Sequence, residues 1–396
     1  MIPGRRPVRP APSRFPEGRR SAMNPLQQLE ACGQSPWLDD LHRTLMSSGE
    51  LKNLIDNHGL KGLTSNPSIF EKAIGSTNDY DDVLKEMLGK GDADDMTVYE
   101  TIAIADIQAA ADVFLPVYEG ADGGDGFVSL EVAPNIANDT EATKKDAKRL
   151  WAAVDRPNLM IKIPGTDAGT PAIQATIAEG INVNVTLLFA VKAYEDVAQA
   201  YIAGLEELAA KGGDVSRVAS VASFFLSRID SAADAKIDAL EGADPALVEM
   251  TRHKIAIANA KRAYQRGKQI FSGPRWEALA AKGAHPQRLL WASTGTKSKS
   301  LPDTYYVDNI IGLGTVNTMP PATMKAFGDH GTAIKDSIES DVAGAEASLA
   351  ALEKLGISLD EITHELVIDG IKKFEEAFDN LIGGVKKRRG EFSKAA

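Results

Sequence analysis

The sequence holds one cysteine, Cys32, in 396 residues, so no disulfide can close within the chain, as suits a reducing cytosol. Positive charge is in deficit. The net charge is -11, and no basic stripe interrupts the acidic background, which argues against general nucleic-acid binding. No uninterrupted apolar run approaches the roughly 18 residues that suggest a membrane span. The six histidines, His42, His58, His253, His285, His330 and His364, show no His-Glu-x-x-His or other ligand spacing, so a zinc site is not expected. A Gly-x-x-x-x-Gly-Lys-[Ser/Thr] loop for nucleotides and a Gly-x-Ser-x-Gly elbow are both missing.

Residues 1–22 carry Arg5, Arg6, Arg9, Arg14, Arg19 and Arg20, five prolines and almost nothing apolar. Without an apolar h-region they are no secretory signal, and the prolines oppose the amphipathic helix of a transit peptide. They are expected to be a disordered basic tail or an upstream start, with Met23 opening the native protein. Residues 23–396 are expected to fold as one domain.

A hydrophobic content of 43% is ample for a large core. Eight short segments have strand character: 36–39, 61–66, 127–132, 158–164, 181–186, 218–223, 288–292 and 315–320. Helical patterns lie between them, among them 139–154, 169–178, 191–211 and 224–240, with a helical excursion over 244–282. Regular alternation calls for a parallel sheet with right-handed crossovers. Eight units over roughly 250 to 300 residues suggest an α/β chain closed into a (β/α)8 TIM barrel. A doubly wound open sheet would want a Gly-rich loop after the first strand, and Leu38-Asp39-Asp40 stands there instead. Additional C-terminal helices, from about 329 to 396, would wrap the barrel or lie across one face.

The organising stretch is Asn158-Leu-Met-Ile-Lys-Ile-Pro-Gly-Thr166, a buried strand with a lysine inside it. Burial disfavours a charged amine, so a neutral, nucleophilic Lys162 is a candidate. The competing reading is a lysine that snorkels to water or pairs with a carboxylate. In a barrel the functional face lies at the C-terminal ends of the strands. Asp39, Asn66, Glu131, Lys162, Asn184 with Thr186, Ser223, and Ser293 with Thr294 fall at or near those ends. One amine, two carboxylates and a ring of amides and hydroxyls suit Schiff-base formation with a ketone sugar. Lys162 would attack the carbonyl, and one carboxylate would move protons through a water. A second would take the C4 hydroxyl proton as the C3–C4 bond breaks. The protonated imine is the electron sink, so neither metal nor organic cofactor is needed. Arg228, placed about one turn into the helix after the sixth strand, and Lys297, on the small-residue loop Ser293-Thr-Gly-Thr-Lys297, are candidate cations for a substrate phosphate.

Leu63-Thr-Ser-Asn-Pro-Ser68, Ile161-Lys-Ile-Pro164, Ile181-Asn-Val-Asn-Val-Thr-Leu-Leu-Phe189 and Ser223-Phe-Phe-Leu-Ser-Arg228 resemble the signature segments of the transaldolase family. The likeness runs in order from about 36 to 327, and the helical extension is similar to that of longer bacterial members. The resemblance implies a (β/α)8 barrel that moves a dihydroxyacetone unit from sedoheptulose 7-phosphate or fructose 6-phosphate to an aldose phosphate, glyceraldehyde 3-phosphate or erythrose 4-phosphate. It implies a place in the non-oxidative pentose phosphate pathway, usually in the cytoplasm. It makes Lys162 the Schiff-base lysine, Asp39 the acid/base at C–C cleavage, and Glu131 with Thr186 the holders of the catalytic water. Asn66 and Asn184 would bind the dihydroxyacetone hydroxyls, and Ser223 and Arg228 would contact substrate and phosphate. Lys297 stands in for the second phosphate arginine of other branches, which has no counterpart after Trp291. The expected partners are sugar phosphates, with no nucleic acid and no membrane, and the chain is expected to be a monomer or homodimer. The rivals are a fructose 6-phosphate aldolase of the same superfamily, usually a much shorter chain, and a non-catalytic sugar-phosphate binder on the same barrel.

Overall fold

A computed structural model describes residues 23–89 and 93–395; the basic tail expected over 1–22 lies outside them. The eight strands are β1 (Gln34–Asp39), β2 (Gly62–Thr64), β3 (Val128–Glu131), β4 (Leu159–Pro164), β5 (Val183–Leu188), β6 (Ser220–Phe225), β7 (Arg288–Ala292) and β8 (Thr315–Met319). All neighbouring pairs are parallel, and β8 pairs back onto β1, with Gln34 beside Thr315 and Leu38 beside Met319. The sheet closes in the order β1 to β8, so the expected (β/α)8 barrel is what forms.

Two apolar cores result, because successive side chains on a strand face opposite sides. Outward residues such as Ile161, Ile163, Val183, Val185 and Phe224 pack against the surrounding helices. Inward residues Trp37, Phe127, Met160, Val221, Leu290 and Val316 fill the lower barrel as a separate cluster. Below them the N-terminal end is closed by polar groups. Arg288 donates to Ser35 Oγ at 2.5 Å and to the Thr315 carbonyl at 2.8 Å, and Trp37 Nε1 donates to Asp125 at 2.8 Å. The indole of Trp37 takes the space where Gly62 has no side chain: a Cβ there would stand 2.4 Å from its ring. Gly62→Ala is therefore expected to destabilise the barrel by about 1–3 kcal/mol through overpacking, read as a lower denaturant midpoint with an unchanged slope.

Several segments depart from the sequence reading. The helix expected from Phe224 begins at Ser227 and runs to Asp238. Phe224 and Phe225 prolong β6 instead, where Phe224 meets Trp291 edge-on at 6.2 Å and Phe225 stacks obliquely on Phe189 at 5.3 Å. Arg228 consequently lies in the first helical turn, at its second residue, rather than one turn in. Strand β5 runs past Thr186 to Leu188 through an irregularity in its pairing with β6, with Leu187 at φ 60°. Helices Arg43–Ser47, Asp81–Gly89 and Tyr305–Asn309 are additions to the sequence reading; the first and last, at five residues each, are too brief to establish a helical period.

Helix Asp95–Gly120 is long and apolar enough by composition to cross a membrane, but its apolar face, including Ile102, Ile107 and Phe114, is buried in the fold. Beyond the eighth barrel helix (Pro321–His330) come Val342–Lys354 and the 37-residue Leu359–Ala395. The last is about 55 Å long at 1.5 Å per residue. Glu365 pairs with Lys236 at 3.1 Å, Gly370 lies against Leu187 at the end of β5, and Phe378 meets Tyr99 edge-on at 5.6 Å. Arg388 and Arg389 pair with Asp81 and Asp95. Of the two placements open in the sequence, this helix takes the second: it lies across the C-terminal face of the barrel.

Candidate active site

Lys162 stands on β4 beside Glu131 of β3 on one flank and Asn184 of β5 on the other. All three side chains face inward, above the apolar plug, because each lies on the strand face set by the alternation from Met160 and Val221. Lys162 is 5% exposed. Its Nζ donates to the Ser65 carbonyl at 2.9 Å and lies 3.2 Å from Glu131 Oε2. Glu131 is buried, and neither of its oxygens has an aligned hydrogen-bond donor among the described residues. Its carboxyl pKa is raised by burial, with the Lys162 charge opposing. The same causes in the same order raise that of Asp39, where a hydrogen bond from Thr64 Oγ1 at 2.6 Å also opposes the shift. Two carboxyls therefore share one ammonium in a poorly solvated place, and each holds its proton more tightly than an exposed acid does.

Of the residues read from the sequence, Asp39, Glu131, Asn184 and Ser223 lie in this cluster around Lys162. Asp39 bonds to Thr64 inside the barrel, whereas its neighbour Asp40 turns toward His42 at 3.9 Å. Asn184 donates to Ser129 Oγ at 3.0 Å and accepts from Ser223 Oγ at 2.7 Å, so three strands are tied at one level. Thr186 Oγ1 is buried without a partner among the described residues. Asn66 caps helix Pro67–Ser76, its Oδ1 accepting from Ile69 N at 3.1 Å, so its amide nitrogen, the donor end, is not used by the cap.

Arg228 projects from the start of helix Ser227–Asp238. Its guanidinium lies 5.8 Å from the Phe225 ring, and Nη1 is buried with no hydrogen-bond acceptor among the described residues. Burial lowers its pKa, and Asp369 of the crossing helix opposes that. A desolvated donor without an acceptor is a site prepared for an anion. Lys297 is exposed on the loop that leaves β7. Ser293 opens this loop at φ 57°, and Thr294 donates to Asn317 Oδ1 at 3.1 Å. Among the described residues, no group of three or more His, Cys, Asp or Glu side chains is placed to hold a metal ion.

Sequence reading missed the supporting shell. The Ser65 carbonyl, Thr64, Ser129 and Thr318 all belong to it, with Thr64 Oγ1 2.7 Å from Thr318 Oγ1. A usable signal existed for Ser129, two residues before Glu131 and so on the same strand face. The Ser65 carbonyl had none, since main-chain acceptors carry no sequence signature.

The site can present a buried amine to a small carbonyl compound, with carboxyls at hand for proton transfer and a cation at the rim. A family model described as transaldolase/fructose-6-phosphate aldolase matches residues 36–385. The chain is 48% identical over 366 residues to the transaldolase of Parafrankia sp. (strain EAN1pec), with 92% of this chain and 98% of that protein covered. It is 48% identical over 373 residues to transaldolase 2 of Nostoc sp. (strain PCC 7120 / SAG 25.82 / UTEX 2576), covering 92% and 97%. It is also 46% identical over 365 residues to the transaldolase of Thermobifida fusca (strain YX), covering 92% and 98%. With likeness sustained over nearly the whole length of these proteins, the chain belongs to the transaldolase/fructose-6-phosphate aldolase family and is a transferase of the transaldolase kind.

Proposed function

We propose that the protein transfers a dihydroxyacetone unit from sedoheptulose 7-phosphate or fructose 6-phosphate to glyceraldehyde 3-phosphate or erythrose 4-phosphate through an imine on Lys162. The observation that carries this reading is the Lys162 amine held 3.2 Å from Glu131 in a buried pocket shared with Asp39. Lys162 passes a proton to a neighbouring carboxylate, and the freed lone pair attacks the ketose C2. Glu131, acting with Thr186 through a water, protonates the departing hydroxyl, and the carbinolamine loses water to give the iminium ion. Asp39 then removes the C4 hydroxyl proton. The C4–O electrons form the aldehyde, the C3–C4 pair moves into the iminium, and the aldose phosphate leaves. The remaining enamine adds to the acceptor aldehyde by the reverse steps, and hydrolysis returns the lysine. Asn66 and Asn184 hold the dihydroxyacetone hydroxyls, Ser223 contacts the substrate, and Arg228 with Lys297 takes the phosphate.

The test is borohydride reduction in the presence of fructose 6-phosphate, followed by peptide mass mapping. A reduced three-carbon adduct on Lys162 is expected; an adduct on another lysine overturns the site, and none at all overturns the mechanism. Adding an acceptor aldose phosphate separates transfer from simple aldol cleavage, because only a transferase turns over faster with it. Arg228→Ala is expected to raise KM for phosphorylated donors by about 10- to 100-fold, the scale of a charge-assisted bidentate contact, with kcat much less changed. An unchanged KM would remove Arg228 from the phosphate site. The reading places the protein in the cytoplasm, on the non-oxidative pentose phosphate pathway, as a monomer or homodimer.

A further inference from the structure

Helix Ser227–Asp238 bears Arg228 at one end and two acids, Asp230 and Asp234, on a face that the chemistry above does not use. Asp230 is 2% exposed; it accepts from Ala256 N at 2.7 Å and from the Tyr306 hydroxyl at 2.8 Å. Asp234 accepts from His253 N at 3.1 Å, and its other oxygen lies 2.5 Å from His253 Nδ1. His253 is itself held at φ 60°, a conformation that is costly for most side chains. Its carbonyl accepts from the Tyr305 hydroxyl at 2.9 Å, and its Nε2 lies 3.3 Å from Ser300 Oγ. At the other end of the same loop, Ser227 N donates to the Ser293 carbonyl at 3.1 Å, and the two serine hydroxyls are 2.9 Å apart.

The segment after β7 is thus tied to the helix that carries Arg228 directly at Ser293 and Tyr306 and through His253 at Ser300 and Tyr305, and Lys297 lies between Ser293 and Ser300. We propose that Asp230, Asp234 and His253 are positioning residues that hold the Lys297 loop in a fixed relation to Arg228, so that one rigid unit grips the substrate phosphate. This rests on the proposed phosphate role of Arg228 and Lys297. The physical reason is preorganisation: a cation on a free exposed loop must be ordered by the ligand, whereas a tied loop has been ordered by folding. Burial raises the Asp230 carboxyl pKa to about 6 against its two donated bonds, so the acid is an unfavourable means of merely joining helices. A tie of fixed geometry accounts for it better.

The experiment uses the full chain with His253→Asn, Ser300→Ala and Lys297→Ala, singly, and the His253→Asn/Lys297→Ala pair. Asparagine accepts the left-handed backbone of position 253 but is too short to reach Ser300, and Ser300 is exposed, so both single variants should fold. Each is expected to raise KM for fructose 6-phosphate and the inhibition constant of inorganic phosphate by about three- to tenfold, the scale of one lost hydrogen bond. Borohydride trapping of unphosphorylated dihydroxyacetone on Lys162 should stay within about twofold, because the phosphate end is not involved. In the Lys297→Ala background, His253→Asn should add less than about twofold, since both act through one contact. Phosphate inhibition unchanged in His253→Asn and Ser300→Ala but weakened in Lys297→Ala would overturn the clamp and leave the phosphate reading standing. Phosphate inhibition unchanged in Lys297→Ala would refute the reading on which the clamp depends, and the clamp with it. Dihydroxyacetone trapping lost in His253→Asn would indicate general damage and equally overturn the proposal.

Discussion

Lys162→Ala is expected to lower kcat for dihydroxyacetone transfer by on the order of 10^4- to 10^6-fold, the range expected when an enzyme loses its nucleophile. The other amine whose charge reaches Asp39, that of Lys72, belongs to an exposed side chain, and the hydroxyls and amides bonded around Asp39 and Asn184 form no imine. The fold should tolerate the change. Removing the ammonium leaves Glu131 without its counter-charge, but burial already pushes that carboxyl upward, and losing the opposing charge pushes it further toward the neutral form. The melting temperature should move by only a few degrees, and borohydride with fructose 6-phosphate should leave no adduct on the protein. Turnover retained in the purified variant would sink the Schiff-base assignment.

Asp39→Asn is the second large effect. Loss of a positioned general base should reduce kcat by about 10^2- to 10^4-fold, while imine formation, which the proposed mechanism assigns to Lys162 and Glu131, continues. The variant should therefore still trap dihydroxyacetone under borohydride while failing to cleave the C3–C4 bond. A near-normal kcat would take Asp39 out of the cleavage step. Its stability should change in the opposite sense to its activity. The folded carboxyl pKa lies above the ordinary value of 3.8, so between the two values the native state binds more protons than the unfolded chain. The stability from this group is then complete below about 3.8 and is lost as pH rises through the raised value. Asparagine is neutral throughout and can still accept from Thr64, so Asp39→Asn should melt higher than the parent at pH 7 and no higher near pH 4. A parent that gains stability relative to the variant as pH rises would contradict the burial argument. The raised carboxyl also places the acid limb of kcat/KM above the range of an exposed carboxylate, if Asp39 works as a base.

Much of this architecture is local information. Strand β4 reads as buried because Leu159, Met160, Ile161 and Ile163 leave no polar face, and β7 was delimited at Arg288 and Ala292 as the structure has it. Pro67 and Asn66 mark a helix start that the chain uses. The alternation of these elements is enough to call for a parallel closed sheet, and the polar residues at the strand ends mark one face of it. Where local signals were ambiguous, reading failed. Phe224 and Phe225 fit either the end of a strand or the first turn of a helix, and only Trp291 on β7 and Phe189 just past β5 decide the matter by packing against them.

The sequence by itself determined which residue types stand at which strand ends, and hence the kind of chemistry available: one amine, two acids, amides, hydroxyls and a cation. Tertiary structure alone decided their neighbours. That Glu131 approaches Lys162 to 3.2 Å, that the Ser65 carbonyl receives the amine, and that the Leu359–Ala395 helix crosses the mouth all depend on closure of the sheet between β1 and β8. The same holds for the second face of helix Ser227–Asp238, whose acids meet partners up to 76 residues away. The facing of a side chain follows from a period of two or 3.6 residues, which is written locally. The distance between two side chains on different strands follows from how the whole barrel closes, which no single segment encodes.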